Sequence, residues 1–111
     1  MDAPKPQLNF VVGDYVTKRT QVQMIGAAQS ILGAAPDRCV LLIGNGGGLG
    51  STVIDVVPPG GSDRGISLSN QQPTFLINSH DHPGIIWSEW FCWGPNTNFL
   101  VIVEVFYRPR G

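Results

Sequence analysis

The stretch AAPDRCVLLIGN, residues 34–45, decides how the fold of this chain is interpreted. A polar turn, Pro36-Asp37-Arg38, leads directly into the apolar run 39–43, and Asn45 follows just before a series of glycines. A continuous apolar run of this length predicts a β-strand that is buried on both faces. We assign structural roles to Arg38 and Asn45. The Arg38 guanidinium is expected to bind backbone carbonyls or a carboxylate and hold the turn, and Asn45 is expected to close the strand.

The glycine-rich stretch 44–48 suggests at first a phosphate-binding loop, because it follows a strand. A loop of that kind needs the N-terminus of a helix to supply aligned N–H donors, and it usually carries a Lys-Ser/Thr pair. Here the next segment, TVIDVV at 52–57, is again β-prone. We therefore interpret the glycines as a flexible hairpin connection.

Short β-prone segments recur along the whole chain and are separated by Gly, Pro and Asn. The predicted strands are residues 8–12, 20–25, 29–32, 39–43, 52–57, 66–68, 74–78, 85–93 and 99–107. For residues 29–32 a short helical turn is the alternative. Strands at intervals of about 8–12 residues are typical of sandwiches and barrels. We predict an all-β chain: a single small, jelly-roll-like β-sandwich over residues 15–111, preceded by an extended, proline-containing N-terminal arm over residues 1–14.

The composition narrows the class of partner. The chain has 111 residues, enough for one domain, and only 14% of them are charged, against about 25% in typical soluble proteins. A surface so poor in charge favours a chain that is covered by other proteins. The net charge is −1 and the basic residues are scattered, so we do not expect a nucleic-acid partner.

No membrane partner is expected either, because the apolar runs are far shorter than the roughly 20 residues that span a bilayer. The N-terminus lacks the apolar region of a signal peptide, which predicts synthesis in a cytoplasm. Cys39 and Cys92 each lie in an apolar segment. We expect two buried thiols rather than a disulfide or a zinc site.

Catalytic groups are hard to find in the sequence. His80 and His82 could bind a metal, but two histidines in a polar loop are usually ordinary loop residues. No serine lies in a nucleophile elbow, and the carboxylates show no convergent pair. We therefore predict neither an enzyme nor a cofactor. Trp87, Trp90 and Trp93 are expected to fill the core or a subunit contact, and a sugar-stacking platform is the alternative.

Several short motifs occur in a recognisable order. They are APDR at 35–38, VLLIGN at 40–45, TVIDVV at 52–57, GISL at 65–68, PGIIW at 83–87 and a last strand, LVIVEV, at 100–105. In this order they resemble a group of small β-sandwich virion proteins of tailed bacteriophages, of the capsid decoration (cement) or fibre-base type. The resemblance extends from about residue 21 to residue 107.

This resemblance implies a virion structural protein on the capsid surface that binds the major capsid protein and stabilises the head. Sibling copies are expected as partners, with a homotrimer suggested by the symmetry of capsid lattices. Because extended arms can add strands to a neighbour's sheet, we expect contacts from Phe10, Tyr15, Arg108 and Arg110. The alternatives are a host-surface or carbohydrate-binding module of a spike or fibre, with Trp90 or Trp93 exposed, and a cupin-like metal enzyme built around His80 and His82.

Overall fold

The computed structural model describes residues 13–47, 51–58 and 65–109. Within them lie eight β-strands and one short 3-10 helix, Ile85–Trp87. In chain order the strands are β1 Gly13–Gln23, β2 Gln29–Leu32, β3 Arg38–Gly47, β4 Thr52–Asp55, β5 Ile66–Leu68, β6 Thr74–Asn78, β7 Trp90–Trp93 and β8 Phe99–Pro109.

The strands form two antiparallel four-stranded sheets. Sheet A has the order β1-β8-β3-β6 and sheet B the order β2-β7-β4-β5. The first strand pairs with the eighth, the second with the seventh, the third with the sixth and the fourth with the fifth. This nested pairing is that of one long hairpin rolled up into two sheets, which is the jelly-roll arrangement. The prediction of a single small all-β sandwich is confirmed.

The core lies between the sheets and follows the two-residue alternation of strands. On β8, Leu100 and Ile102 point inward and are fully buried, and they lie in register with inward residues of β3 such as Ile43. From sheet B, Trp90 fills the centre, and its ring packs against that of Phe75 with centroids 5.4 Å apart. Twelve buried apolar side chains of the described residues form this core.

The strand predicted at residues 39–43, which is part of β3, differs from its prediction in its burial. Leu41 and Ile43 are buried, but Val40 and Leu42 are only half-buried, because they point away from sheet B. The sequence predicted burial on both faces. Among the described residues, a second layer covers only the inner face.

Three predicted segments have different structures. The strand predicted over residues 20–25 is the last part of the longer β1, Gly13–Gln23. Residues 85–93 do not form one strand: the 3-10 helix Ile85–Trp87 comes first, after Gly84 with φ +90°, and β7 begins only at Trp90. The proposed glycine hairpin is also wrong in part, because β3 continues through Gly47 and pairs with the start of β8.

The predicted N-terminal arm lies mostly outside the described residues, as does the predicted strand 8–12. The last residues assigned to the arm, Gly13 and Asp14, belong to β1, where they pair with Pro109 and Arg108. The sandwich therefore begins at or before Gly13. At this end of sheet A, the first described residues of β1 pair with the last described residues of β8.

Candidate interaction site

Arg38 occupies the centre of a buried polar cluster at the start of β3. Only 1% of its surface is exposed. Its Nε donates to Glu104 Oε2 at 3.0 Å, Nη1 donates to the carbonyl oxygens of Ile86 at 2.9 Å and Ser88 at 3.0 Å, and Nη2 donates to that of Gly33 at 2.7 Å. These partners include both kinds named in the sequence analysis, backbone carbonyls and a carboxylate.

The cluster joins the segment from Gly33 to Arg38 to two parts of the chain that are far away in sequence. Glu104 lies on β8, Gly33 follows β2, and Ile86 and Ser88 lie in or just after the 3-10 helix. A fork of N–H donors on one rigid plane is suited to this task. Glu104 is only 3% exposed and is bound by Arg38, so the two side chains form a buried ion pair.

Beside this pair, an open cleft of about 280 Å³ separates the β1 edge of sheet A from the β2 edge of sheet B. Lys18 and Thr20 line it on one side and Ile31 on the other, with Glu104 at its base. Its described lining contains a single carboxylate, already bound by Arg38, and no cysteine, histidine or serine. Besides the Arg38–Glu104 pair, the polar side chains of the lining are those of Lys18 and Thr20.

The outer face of sheet A is unusually apolar. We call it the aliphatic face and define it by the side chains that point away from sheet B: Val40, Leu42, Leu76, Val101, Val103 and Val105. Five of them are half-buried, and Leu76, on strand β6, is 59% exposed. An outward sheet face of a soluble protein usually carries polar residues. Contiguous apolar area of this kind marks an interaction surface.

Charges of opposite sign border the aliphatic face on its two sides. Register places Arg19 on β1 in the same cross-strand row as Val103, Leu42 and Leu76. At the β6 edge, Asn78 Nδ2 donates to Asp81 Oδ2 at 3.2 Å, which holds this carboxylate beside the next row. One cation, Arg19, therefore borders the face on the β1 side, and one carboxylate, Asp81, borders it on the β6 side.

Two tyrosines lie beyond the aliphatic face, at the end of sheet A where β1 begins and β8 ends. Tyr15 on β1 is paired in register with Tyr107 on β8, and their ring centroids are 5.5 Å apart. Arg108, the next residue, is exposed. Of the predicted partner-binding residues, the structure thus brings Tyr15 and Arg108 to the same end of sheet A. The other two, Phe10 and Arg110, lie outside the described residues.

The glycines of β3 have a packing role that the sequence did not reveal. A Cβ at Gly46 would overlap the ring of Phe99, and one at Gly47 would lie 2.9 Å from it. The ring thus lies directly against backbone. Asn45 was expected to close the strand, but it lies inside β3, which continues to Gly47. The Asn45 N–H donates to the carbonyl oxygen of Pro73 at 2.7 Å.

The histidines and tryptophans lie in different surroundings. His80 is exposed in the turn after β6, and His82 is half-buried. Across the described residues, no group of three His, Cys, Asp or Glu side chains could hold a metal ion. Trp90 is in the core at 2% exposure, so it cannot stack on a sugar. Trp93 is half-buried on the outer face of sheet B, and Trp87 is 39% exposed.

The two cysteines are buried free thiols in different sheets. Cys39 donates to Val105 O in sheet A, and Cys92 contacts Met24 Sδ at 3.4 Å in the core. Burial raises the pKa of both thiols, that of Cys92 to about 12. Both side chains therefore remain protonated near neutral pH and act as small apolar residues.

Among the described residues there is no helix with the length and hydrophobicity needed to cross a membrane. The chain matches no protein-family model, no curated protein and no solved structure.

Proposed function

We propose that this protein is a virion structural protein, a capsid decoration protein that binds the major capsid protein on the outer surface of the head. The observation that carries the proposal is the strand order of the two sheets. Jelly rolls of eight strands form the domains of many viral capsid proteins, and also those of lectins and cupins. A fold alone does not assign a function, so the surfaces of this chain must decide between these classes.

Two features favour the virion class over the cupin class. The residues described in sheets A and B bring together no set of metal ligands, whereas cupin chemistry would need one. The polar groups at the centre, Arg38 and Glu104, are bound to each other. The chain instead presents an apolar outer sheet and few charges, which suits a protein that spends its working life against other subunits.

The contact with the capsid is assigned to the end of sheet A that carries Tyr15 and Arg108. There β1 is an edge strand, and the first described residue, Gly13, is paired with Pro109. Both terminal segments therefore continue from neighbouring points. Tyrosine and arginine are the residue types that contribute most to protein interfaces, and an extended segment from this end could add a strand to a neighbouring sheet.

The proposal is tested by adding purified protein to capsids that lack it. We expect saturable binding in hundreds of copies per head, as the number of capsid subunits requires. Replacing Tyr15 and Arg108 together by alanine, or removing residues 1–12, which spares β1, should weaken this binding. Gln71→Ala, an exposed substitution in the turn before β6, is the matched control. Absence of binding by the natural protein would overturn the proposal.

One observation favours a second candidate, a carbohydrate-binding or host-surface module of a spike or fibre. On the outer face of sheet B, Phe91 and Trp93 are half-buried on the same strand, and register places Asp55 beside Phe91. Aromatic rings beside a carboxylate can bind sugars. A glycan array with the natural protein and with Trp93→Ala decides this point, with Trp87→Ala as the control. Binding that is lost only in Trp93→Ala would favour the spike.

A further inference from the structure

We propose that the aliphatic face of sheet A is the interface between two copies of this chain, related by a two-fold axis that runs along the strands. The proposal goes beyond the capsid-binding function and does not depend on it. The first argument is the composition of the face. Its two central strands, β3 and β8, present Val40, Leu42, Val101, Val103 and Val105 outward. Side chains of this kind pack well against an identical sheet.

The outer face of sheet A as a whole is large enough for a weak dimer. The strand register places 17 residues on it, in five rows from Phe99 to Tyr107, since β6 does not reach the first and last rows and β3 does not reach the last. With strands about 4.8 Å apart and rows about 6.8 Å apart, this gives about 550 Å² per copy, of which the aliphatic face supplies about 200 Å². Two copies would bury about 1,100 Å², which lies at the lower limit of specific interfaces. A dimer of modest affinity follows from this area, since the desolvation of polar groups at the rim offsets part of the gain from apolar burial.

The charges at the edges select the orientation. A two-fold axis parallel to the strands places β1 of one copy over β6 of the other, so that Arg19 faces the edge that carries Asp81. An axis across the strands would instead place β1 over β1 and bring the two Arg19 side chains together. Opposite charges favour the first arrangement and like charges disfavour the second. The strand order therefore makes the face complementary to itself.

This orientation has a consequence for the termini. Rotation about an axis along the strands leaves the strand ends at the same height, so both Tyr15–Tyr107 pairs would lie at the same end of the dimer. Two attachment ends would then point toward one surface. Linked binding of this kind raises the overall affinity well above that of either end alone.

The test is the mass of the isolated protein in solution, measured by sedimentation equilibrium over a range of concentrations. We expect a monomer–dimer equilibrium. Leu76→Lys should raise the dissociation constant about tenfold or more. Because Leu76 is already 59% exposed on an edge strand, this variant should keep the fold, which circular dichroism and thermal melting check.

Charge variants test the orientation. Arg19→Asp and Asp81→Arg should each weaken the dimer, and the double variant R19D/D81R should restore it. Lys18→Asp is the matched control for Arg19→Asp, since Lys18 is the neighbouring residue but lines the cleft on the opposite side of β1. The natural protein remaining a monomer at the highest soluble concentration would overturn the proposal, as would a trimer. Failure of the double variant to recover would refute the axis along the strands. Since no capsid is present, these results are independent of the capsid-binding experiment.

Discussion

Replacing Arg38 by alanine should be among the most damaging single substitutions in this chain. The change leaves the Glu104 carboxylate, 3% exposed, without its cation. It also removes the donors from the carbonyls of Gly33, Ile86 and Ser88. Removing one partner of a buried ion pair lowers the free energy of unfolding by about 3–5 kcal/mol. We expect a value toward the upper end of this range, because three carbonyl groups lose their donors as well.

This loss is a large fraction of the stability of a small domain, which is about 5–15 kcal/mol in total. For a chain of this size it corresponds to a decrease in Tm of about 12–20 °C. The assay is urea denaturation followed by tryptophan fluorescence, together with a thermal melt. Trp90 suits this purpose because it is buried in the core and contacts Phe75.

Two further variants separate the parts of the cluster. Glu104→Gln keeps an acceptor for Arg38 Nε and leaves the carbonyl bonds intact, so it should cost less than R38A, about 1–3 kcal/mol. In the double variant R38M/E104L no buried charge remains, and part of the loss should be recovered. Arg108→Ala, at an exposed arginine, is the control and should lie within about 0.5 kcal/mol of the natural protein. An R38A protein within about 1 kcal/mol of the natural one would refute this account of the cluster.

Further predictions concern the glycines of β3 and the buried thiols. Gly46→Ala should destabilise the fold by about 1–3 kcal/mol because its Cβ overlaps the Phe99 ring, and a smaller side chain at Phe99 should recover part of this loss in urea denaturation. Gly33→Ala, where a Cβ meets nothing within 4 Å, is the control; equal costs for both would contradict the packing argument. In a Cys39→Ser background, Cys92 should react with a thiol reagent far more slowly in the folded protein than in urea. Since burial raises its pKa to about 12, the folded-state rate should still be rising tenfold per pH unit at about pH 9; equal rates in the two states would disprove the burial of this thiol.

Much of the strand pattern was readable in advance, because turn residues and apolar runs are local features. The segments 29–32, 66–68 and 74–78 match β2, β5 and β6. The prediction failed at residues 85–93, where Trp90 and Ile86 both enter the core by way of a 3-10 turn whose carbonyls bind Arg38. A local pattern contains no information about a donor that lies 48 residues away.

The aliphatic face and the charges beside it could not be predicted from the local sequence pattern. The valines of β8 and the leucine of β6 look like ordinary core residues in the sequence, and the charges Arg19 and Asp81 look unrelated. Only cross-strand register shows that Arg19 and Leu76 share a row, and only the pairing of Asn78 with Asp81 shows the acidic edge. No signal in the sequence separates the inward from the outward apolar residues of these strands.

The sequence by itself determined the class of this protein: an all-β chain of short strands, poor in charge, with a turn held by Arg38. The tertiary structure alone decided which strands neighbour one another, that Glu104 is the carboxylate bound by Arg38, that the glycines of β3 lie against Phe99, and which apolar residues point away from sheet B. The physical reason is that alternation and turn chemistry act over a few residues, whereas strand order, ion pairing and burial depend on contacts between residues far apart in the chain.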